Sequence, residues 1–129
     1  RVAAIKARTG KPVMKAVGIA EESDIAKAAP FAASANYVLF DAKAPMGANL
    51  PGGNGVAFDW HMLKNMRVPF ALSGGLTPDN VVEAIRLTGA EFVDVSSGVE
   101  RAPGDKDPQL VRRFVRAAKA AAQIRARAS

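Results

Sequence analysis

The sequence contains no cysteine and only one histidine among its 129 residues. The absence of cysteine excludes disulfides, thiolate metal sites and a cysteine nucleophile within this chain. His61 has no clustered partner with metal-binding chemistry, so we interpret it as a surface helix residue and expect no metal site. No apolar run approaches the ~20 residues of a membrane span, and no secretory leader is visible. We therefore expect a cytoplasmic protein with no membrane partner.

Aromatic residues are also scarce, at 6% of the sequence, although the formal net charge is +6. A basic balance of this size often indicates a nucleic-acid partner. Here six basic residues crowd the carboxyl-terminal helical pattern: Arg112, Arg113, Arg116, Lys119, Arg125 and Arg127. With few aromatic side chains available to stack on bases, this pattern favours a solvated helix face. We predict no nucleic-acid partner, although the charge would attract a phosphorylated metabolite.

The remaining composition is that of a globular domain, with 49% hydrophobic and 23% charged residues. We interpret residues 1–129 as one domain, and as a partial one, because residues 1–10 read as the end of a helix already under way. Further residues are expected upstream of Arg1. No bound cofactor is predicted.

A strand followed by a helix recurs four times after that first helix, with about thirty residues per unit. The predicted strands cover residues 12–19, 37–41, 70–72 and 92–95. Right-handed crossovers place such strands parallel in one sheet. A (β/α)₈ barrel of the TIM type needs eight units over ~250 residues, so we predict an α/β half barrel made of the last four units.

Two of the predicted strands end in small polar residues that suit an anion. One strand runs into Gly74 and Gly75, and the next runs into Ser97 and Gly98. Turns without bulky side chains, at neighbouring strand ends, leave backbone N–H groups available to a phosphate. The simpler interpretation is that these glycines only permit tight turns. Two such turns in tandem favour the phosphate site.

Two aspartates and a lysine are further candidates for the site. Asp41 ends an apolar strand on the predicted rim of the glycine turns, which favours a general acid or base over a capping role. Side chains alternate between the two faces of a strand, so Asp94 lies on the face opposite Val93 and Val95. There it either binds a substrate hydroxyl or links adjacent strands. Lys15 is either a snorkelling residue or a cation aimed into the site. Residues 43–56, rich in glycine and proline, are interpreted as a mobile loop and a candidate lid.

Four segments together resemble one enzyme family: VLFDAK at 38–43, LPGGNGVAFDW at 50–60, PFALSGGLTPDNV at 69–81, and VDVSSGVE with PGDKD across 93–107. In this order and spacing they are similar to the carboxyl-terminal half of phosphoribosylanthranilate isomerase. The resemblance covers nearly the whole chain.

The resemblance implies a TIM-barrel enzyme of tryptophan biosynthesis that performs an Amadori rearrangement without cofactor or metal. By this resemblance, Asp41 matches the family's general acid, which protonates the ribose ring oxygen. Gly74, Gly75, Ser97 and Gly98 match its phosphate contacts, and Asp94 approaches the ribose. The family's general base is a cysteine on the first strand, which this chain lacks. We therefore expect the chain alone to be inactive without a missing amino-terminal half.

Three alternatives remain open from the sequence. Indole-glycerol-phosphate synthase has a similar phosphate-binding site, but that enzyme needs lysine and glutamate at strand ends. Lys15 alone is poor support for this alternative. A receiver-like signalling module would use Asp41 as phosphoacceptor, yet it leaves the glycine turns unexplained. A structural half barrel would expose two sheet edges, so we expect the isolated chain to form a homodimer, aggregate or remain molten.

Overall fold

A computed structural model describes residues 1–43, 58–66 and 68–128, with side chains described through Ile124. The α-helices are α1 (Val2–Thr9), α2 (Glu22–Ala26), α3 (Ala29–Ala32), α4 (Val81–Thr88) and α5 (Pro108–Ala128). The strands are β1 (Met14–Ile19), β2 (Tyr37–Ala42), β3 (Phe70–Ser73), β4 (Phe92–Val93), β5 (Glu100–Ala102) and β6 (Asp105–Lys106). Two short 3₁₀ helices cover Trp60–Leu63 and Ser97–Val99. The predicted lid at 43–56 lies almost wholly outside the described residues.

The sheet has the predicted parallel topology. Strands β1 to β4 pair in sequence order, each parallel to the next. Parallel neighbours need a crossover between them, and the intervening helical segments supply it. Parallel pairing brings the carboxyl ends of all four strands to the same edge of the sheet. That edge is where the predicted site residues lie.

The core lies between one face of this sheet and the helices. Along β2, Val38, Phe40 and Ala42 are buried, whereas the alternating Tyr37, Leu39 and Asp41 point to the other face. The rings of Phe40 and Phe70 meet edge to face with centroids 5.4 Å apart, and the core extends through α4 to Phe114 and Ala121 of α5. One face of α5 therefore packs on the core.

The opposite face of the sheet carries large apolar side chains that the described residues leave open. Met14 and Tyr37 are paired in register across β1 and β2, and the Phe92 ring lies 5.3 Å from the Tyr37 ring. These three residues are 45%, 37% and 46% exposed. Exposed apolar surface of this kind marks a face that another structural layer normally covers.

Short helical segments connect the strands. Residues 21–33 contain two short helices, α2 and α3, with Pro30 in the first turn of α3. After β2, a 3₁₀ helix at Trp60–Leu63 is capped by Asp59, which accepts a hydrogen bond from the His61 amide. Helix α4 starts at Val81, after a turn in which the Thr77 amide donates to the Asn80 side chain and the Asn80 amide donates to the Thr77 hydroxyl.

The segment after the sheet forms an antiparallel hairpin made by β5 and β6. Gly104, with φ of 79°, supplies the left-handed residue at its tip. Helix α5 follows directly, and Asp107 Oδ1 accepts a 2.8 Å hydrogen bond from the Gln109 amide in its first turn. The described helices include none long and apolar enough to cross a membrane.

Candidate active site

The carboxyl-terminal edge of the sheet surrounds a cavity of about 490 Å³. Six of the seven candidate residues from the sequence line it, namely Asp41, Gly74, Gly75, Asp94, Ser97 and Gly98. Because the four strands are parallel, residues separated by more than fifty positions in sequence meet at this edge. The candidate acid and both glycine turns therefore share one cavity, as the sequence predicts.

Asp41 reaches the cavity from the last part of β2. Its position pairs in register with Gly18 of β1 and Ser73 of β3. Strand alternation turns Asp41 away from the core, which the flanking Phe40 and Ala42 enter. Among the described residues, none donates a hydrogen bond to the Asp41 carboxylate. The carboxyl group is therefore available to a ligand in the cavity.

The first glycine turn follows β3 and has a steric reason for its composition. Gly74 has φ of 92°, and a Cβ at this position would overlap the carbonyl oxygen of Ala42. Gly75 has φ of 67°, but a side chain there would meet open space. Glycine at position 74 thus allows the turn to pack on the end of β2. At position 75 only the left-handed backbone conformation favours glycine.

The second turn lies beyond β4 and packs on the first. A Cβ on Gly98 would overlap the carbonyl oxygen of Leu76, which follows the first turn. Ser97 and Gly98 begin a single 3₁₀ turn that ends at Val99. In the described part of the chain, no group accepts a hydrogen bond from the Ser97 or Gly98 amide. Unpaired amides beside a cavity suit an anionic ligand.

Asp94 is held by a neighbouring strand rather than left free. β4 ends at Val93, one residue earlier than Asp94, so the strand predicted to reach residue 95 is shorter than expected. The Asp94 amide donates to the carbonyl of Leu72, and Asp94 Oδ2 accepts a 2.9 Å hydrogen bond from Ser73 Oγ. The linking role considered for Asp94 is observed, and it leaves the second carboxylate oxygen for a ligand.

Lys15 does not reach this site. Its ammonium lies 5.1 Å from the centroid of the Phe31 ring on the helical side of the sheet. A lysine in this position is held by a cation–π contact with α3. The snorkelling interpretation is the correct one, and the lysine that indole-glycerol-phosphate synthase would need is not supplied by Lys15.

Two polar residues are not among the candidates from the sequence. Ser73, the polar residue at the end of β3, lines the cavity. Lys106 is not in the cavity lining, but its Nζ lies 2.9 Å from the carbonyl oxygen of Ser96, a lining residue. The Pro103-Gly104 dipeptide is a turn signal that would have predicted the hairpin carrying Lys106.

Comparison with known proteins gives the same assignment as the motifs. The family model for N-(5'-phosphoribosyl)anthranilate (PRA) isomerase matches residues 1–117. The chain belongs to the phosphoribosylanthranilate isomerase family. One curated relative in this family, from Rhodopseudomonas palustris (strain BisB18), is 54% identical over 126 residues, which are 96% of this chain and 58% of the relative. Another, from Ruegeria sp. (strain TM1040), is 57% identical over 123 residues, covering 93% and 57%.

Solved structures of this family have the same fold. Phosphoribosylanthranilate isomerase from Thermotoga maritima superposes with a TM-score of 0.74 at 38% identity, covering 91% of this chain and 56% of that one. A second structure is a complex with reduced 1-(o-carboxyphenylamino)-1-deoxyribulose 5-phosphate, with a TM-score of 0.70 at 32% identity and coverages of 91% and 53%. The chain thus spans little more than half the length of its relatives.

Proposed function

We propose that the chain is the carboxyl-terminal part of a phosphoribosylanthranilate isomerase of tryptophan biosynthesis. The reaction would convert N-(5-phosphoribosyl)anthranilate into 1-(2-carboxyphenylamino)-1-deoxyribulose 5-phosphate. The single observation that carries the proposal is that Asp41 and the turns at Gly74–Gly75 and Ser97–Gly98 line one cavity. One small phosphorylated molecule bound in this cavity would contact both the acid and the anion-binding turns. The ligand named for a related structure has that character.

In this mechanism Asp41 acts as the general acid. It gives its proton to the ribose ring oxygen, and the bond between that oxygen and the anomeric carbon breaks as the ring opens. The amides around Gly75, Ser97 and Gly98 hold the phosphate, because each supplies a donor without needing a side chain. Asp94 orients a ribose hydroxyl through its second oxygen. Fixing both ends of the substrate reduces the entropy that the reaction would otherwise lose.

The next step needs a general base that this chain does not contain. Removal of the proton on the carbon beside the opened anomeric centre gives the enolamine, which tautomerises to the ketose product. In the family this base is a cysteine, and the sequence has none. The chain alone would then bind the phosphate and supply the acid without completing the reaction.

We further propose that residues 1–129 form half of a (β/α)₈ barrel. The open face with Met14, Tyr37 and Phe92, together with the sheet edges at β1 and β4, supports this. An amino-terminal half of the barrel would cover that apolar face and pair with both edges. A homodimer of the intact enzyme is a further proposal, since one related structure concerns a dimeric isomerase. A cytoplasmic location would suit a biosynthetic enzyme.

The test uses an extended protein, defined as this chain joined to the segment of the R. palustris BisB18 relative that it does not match. We expect this protein to isomerise the substrate and the 129-residue chain alone to show no turnover. Product formation is measured in a coupled fluorescence assay. Full turnover by the 129-residue chain would refute the missing-base argument, and an inactive but folded extended protein would refute the assigned reaction.

A receiver-like module is not favoured. The family model that matches residues 1–117 is that of an isomerase, and a receiver-like module would leave the two glycine turns unexplained. Incorporation of phosphate at Asp41 from a small phosphodonor would revive that alternative.

A further inference from the structure

Lys106 connects the β5–β6 hairpin to the second turn of the cavity. Its Nζ donates to the Ser96 carbonyl oxygen at 2.9 Å and lies 3.3 Å from Ser96 Oγ. The same ammonium forms an ion pair with Glu100, its register partner across the hairpin. Ser96 immediately precedes the Ser97 and Gly98 amides that border the cavity. A residue ten positions away in sequence therefore contacts the main chain of the turn directly.

This contact controls the direction of one particular amide. In a trans peptide the C=O and the following N–H point in opposite directions. Holding the Ser96 oxygen toward Lys106 therefore turns the Ser97 N–H away from the hairpin. The Ser96 oxygen also accepts a 3.4 Å hydrogen bond from the Val99 amide inside the turn. Lys106 is therefore the second donor to this oxygen, and its contact is the shorter of the two.

The charge of Lys106 is already balanced inside the hairpin. The Lys106 ammonium, followed by the Gly104 N–H, holds the pKa of Glu100 below its ordinary value. The Gly104 amide donates to Glu100 Oε2 at 3.1 Å, which fixes the carboxylate in place. Because Glu100 neutralises the ammonium, Lys106 adds little net positive charge to the cavity. Its effect on the turn is therefore geometric.

We propose that Lys106 is a positioning residue for phosphate binding, which it supports by fixing the Ser96–Ser97 peptide so that the Ser97 amide faces the ligand. The identity of the substrate in this inference rests on the proposed function. The binding of phosphate to the turn can be tested without that function. Lys106 touches the main chain of the turn and not the reacting atoms.

The test compares variants of the extended protein with inorganic phosphate and with the full substrate. Lys106→Met should weaken phosphate binding about tenfold, since a charge-assisted hydrogen bond to the turn is lost. KM for the substrate should rise by a similar factor, while kcat stays within about twofold. Phosphate affinity is measured by NMR from the amide shifts of Gly75, Ser97 and Gly98. Lys106→Arg should restore most of the affinity.

Two further variants separate positioning from other effects. Arg101 lies on the same hairpin and pairs with Asp105 at 2.8 Å, away from Ser96, so Arg101→Gln should leave phosphate affinity unchanged. Repulsion of the anion by the unpaired Glu100 is the competing explanation for weaker binding in Lys106→Met. The double variant Lys106→Met with Glu100→Gln removes that charge and should remain as weak as Lys106→Met alone.

The phosphate affinities of these variants test the positioning role of Lys106 without any measurement of catalysis. Wild-type affinity in Lys106→Met, or recovery of affinity in the double variant, would overturn the positioning role. An extended protein that binds phosphate but does not isomerise the substrate refutes the proposed function, while the phosphate comparison still decides this inference. Failure of the wild-type protein to bind phosphate at all would overturn both.

Discussion

Ser73 Oγ donates a 2.9 Å hydrogen bond to Asp94 Oδ2 and so joins the ends of two neighbouring strands. Ser73 is also the register partner of Asp41 on its other side. The serine therefore stands between the two carboxylates of the cavity and is bonded to one of them. This bond orients Asp94, while no described residue donates a hydrogen bond to the Asp41 carboxylate.

The Ser73 hydrogen bond gives the first prediction. Ser73→Ala in the extended protein should raise KM for the substrate by roughly tenfold, because Asp94 loses the donor that orients it. Ser73→Thr keeps the hydroxyl and should retain most of the wild-type KM. Steady-state kinetics measure both. Identical KM values for Ser73→Ala and the wild type would show that Asp94 needs no such support.

Asp41 gives the second prediction. Asp41→Asn should lower kcat by about 10²–10⁴-fold, because the amide cannot supply the proton for ring opening. Phosphate affinity should not change, since the phosphate turns are formed by other residues. Asp79→Asn is the matched control, because Asp79 is an exposed carboxylate paired with Arg113 outside the cavity. An active Asp41→Asn protein would remove Asp41 from the acid role.

The two left-handed glycines of the first turn give the third prediction. Gly75→Ala should cost about 1 kcal/mol of unfolding free energy through backbone strain. Gly74→Ala should cost more, since its methyl group would also overlap the Ala42 carbonyl. Urea unfolding at neutral pH measures these differences. Equal stability of the two variants would contradict the steric difference assigned to the two positions.

The control for Gly75 is a glycine with the same conformation outside the site. Gly10 ends α1 with φ of 63° and has open space where a Cβ would stand. Gly10→Ala should therefore lose a similar unfolding free energy without losing phosphate affinity. Weaker phosphate binding in Gly75→Ala alone would assign the difference to the site. Equal affinity in both variants would exclude the first turn from phosphate binding.

The amino-terminal end of α2 gives a prediction about acid stability. Lys27, then the amides of Ala20 and Glu21, lower the pKa of Asp24 from 3.8 to about 2. A lowered folded-state pKa means that the ionised carboxylate stabilises the fold above about pH 4. That contribution is lost as pH falls towards 2. Asp24→Asn should therefore flatten the pH dependence of the unfolding free energy between these values.

The cause of the Asp24 shift is tested separately. Lys27→Met removes the largest contribution, so the pKa of Asp24 should rise towards its ordinary value. A carboxyl NMR titration of both proteins measures the change. An Asp24 pKa that stays near 2 in Lys27→Met would show that the two amides alone account for the shift.

Local sequence patterns were sufficient for the four parallel strands and for several residues at their carboxyl ends. The apolar run ending in Asp41 and the small residues after β3 and β4 were recognisable because strand alternation and turn chemistry act over a few residues. Parallel pairing then implied one common edge. The motifs were specific enough to indicate the family, since four of them occur in the correct order.

The tertiary structure decided what depends on contacts between distant residues. Lys15 could not be assigned until the position of Phe31 showed which side of the sheet it occupies. The Ser73–Asp94 bond and the contact of Lys106 with Ser96 join segments whose spacing follows no local periodicity. Propensity and alternation are set by the nearest neighbours in the chain, whereas these contacts are set by how strands and hairpin pack together. The sequence alone therefore indicated that Asp41 and the two glycine turns lie at one edge of the sheet, and the fold determined how that edge is held.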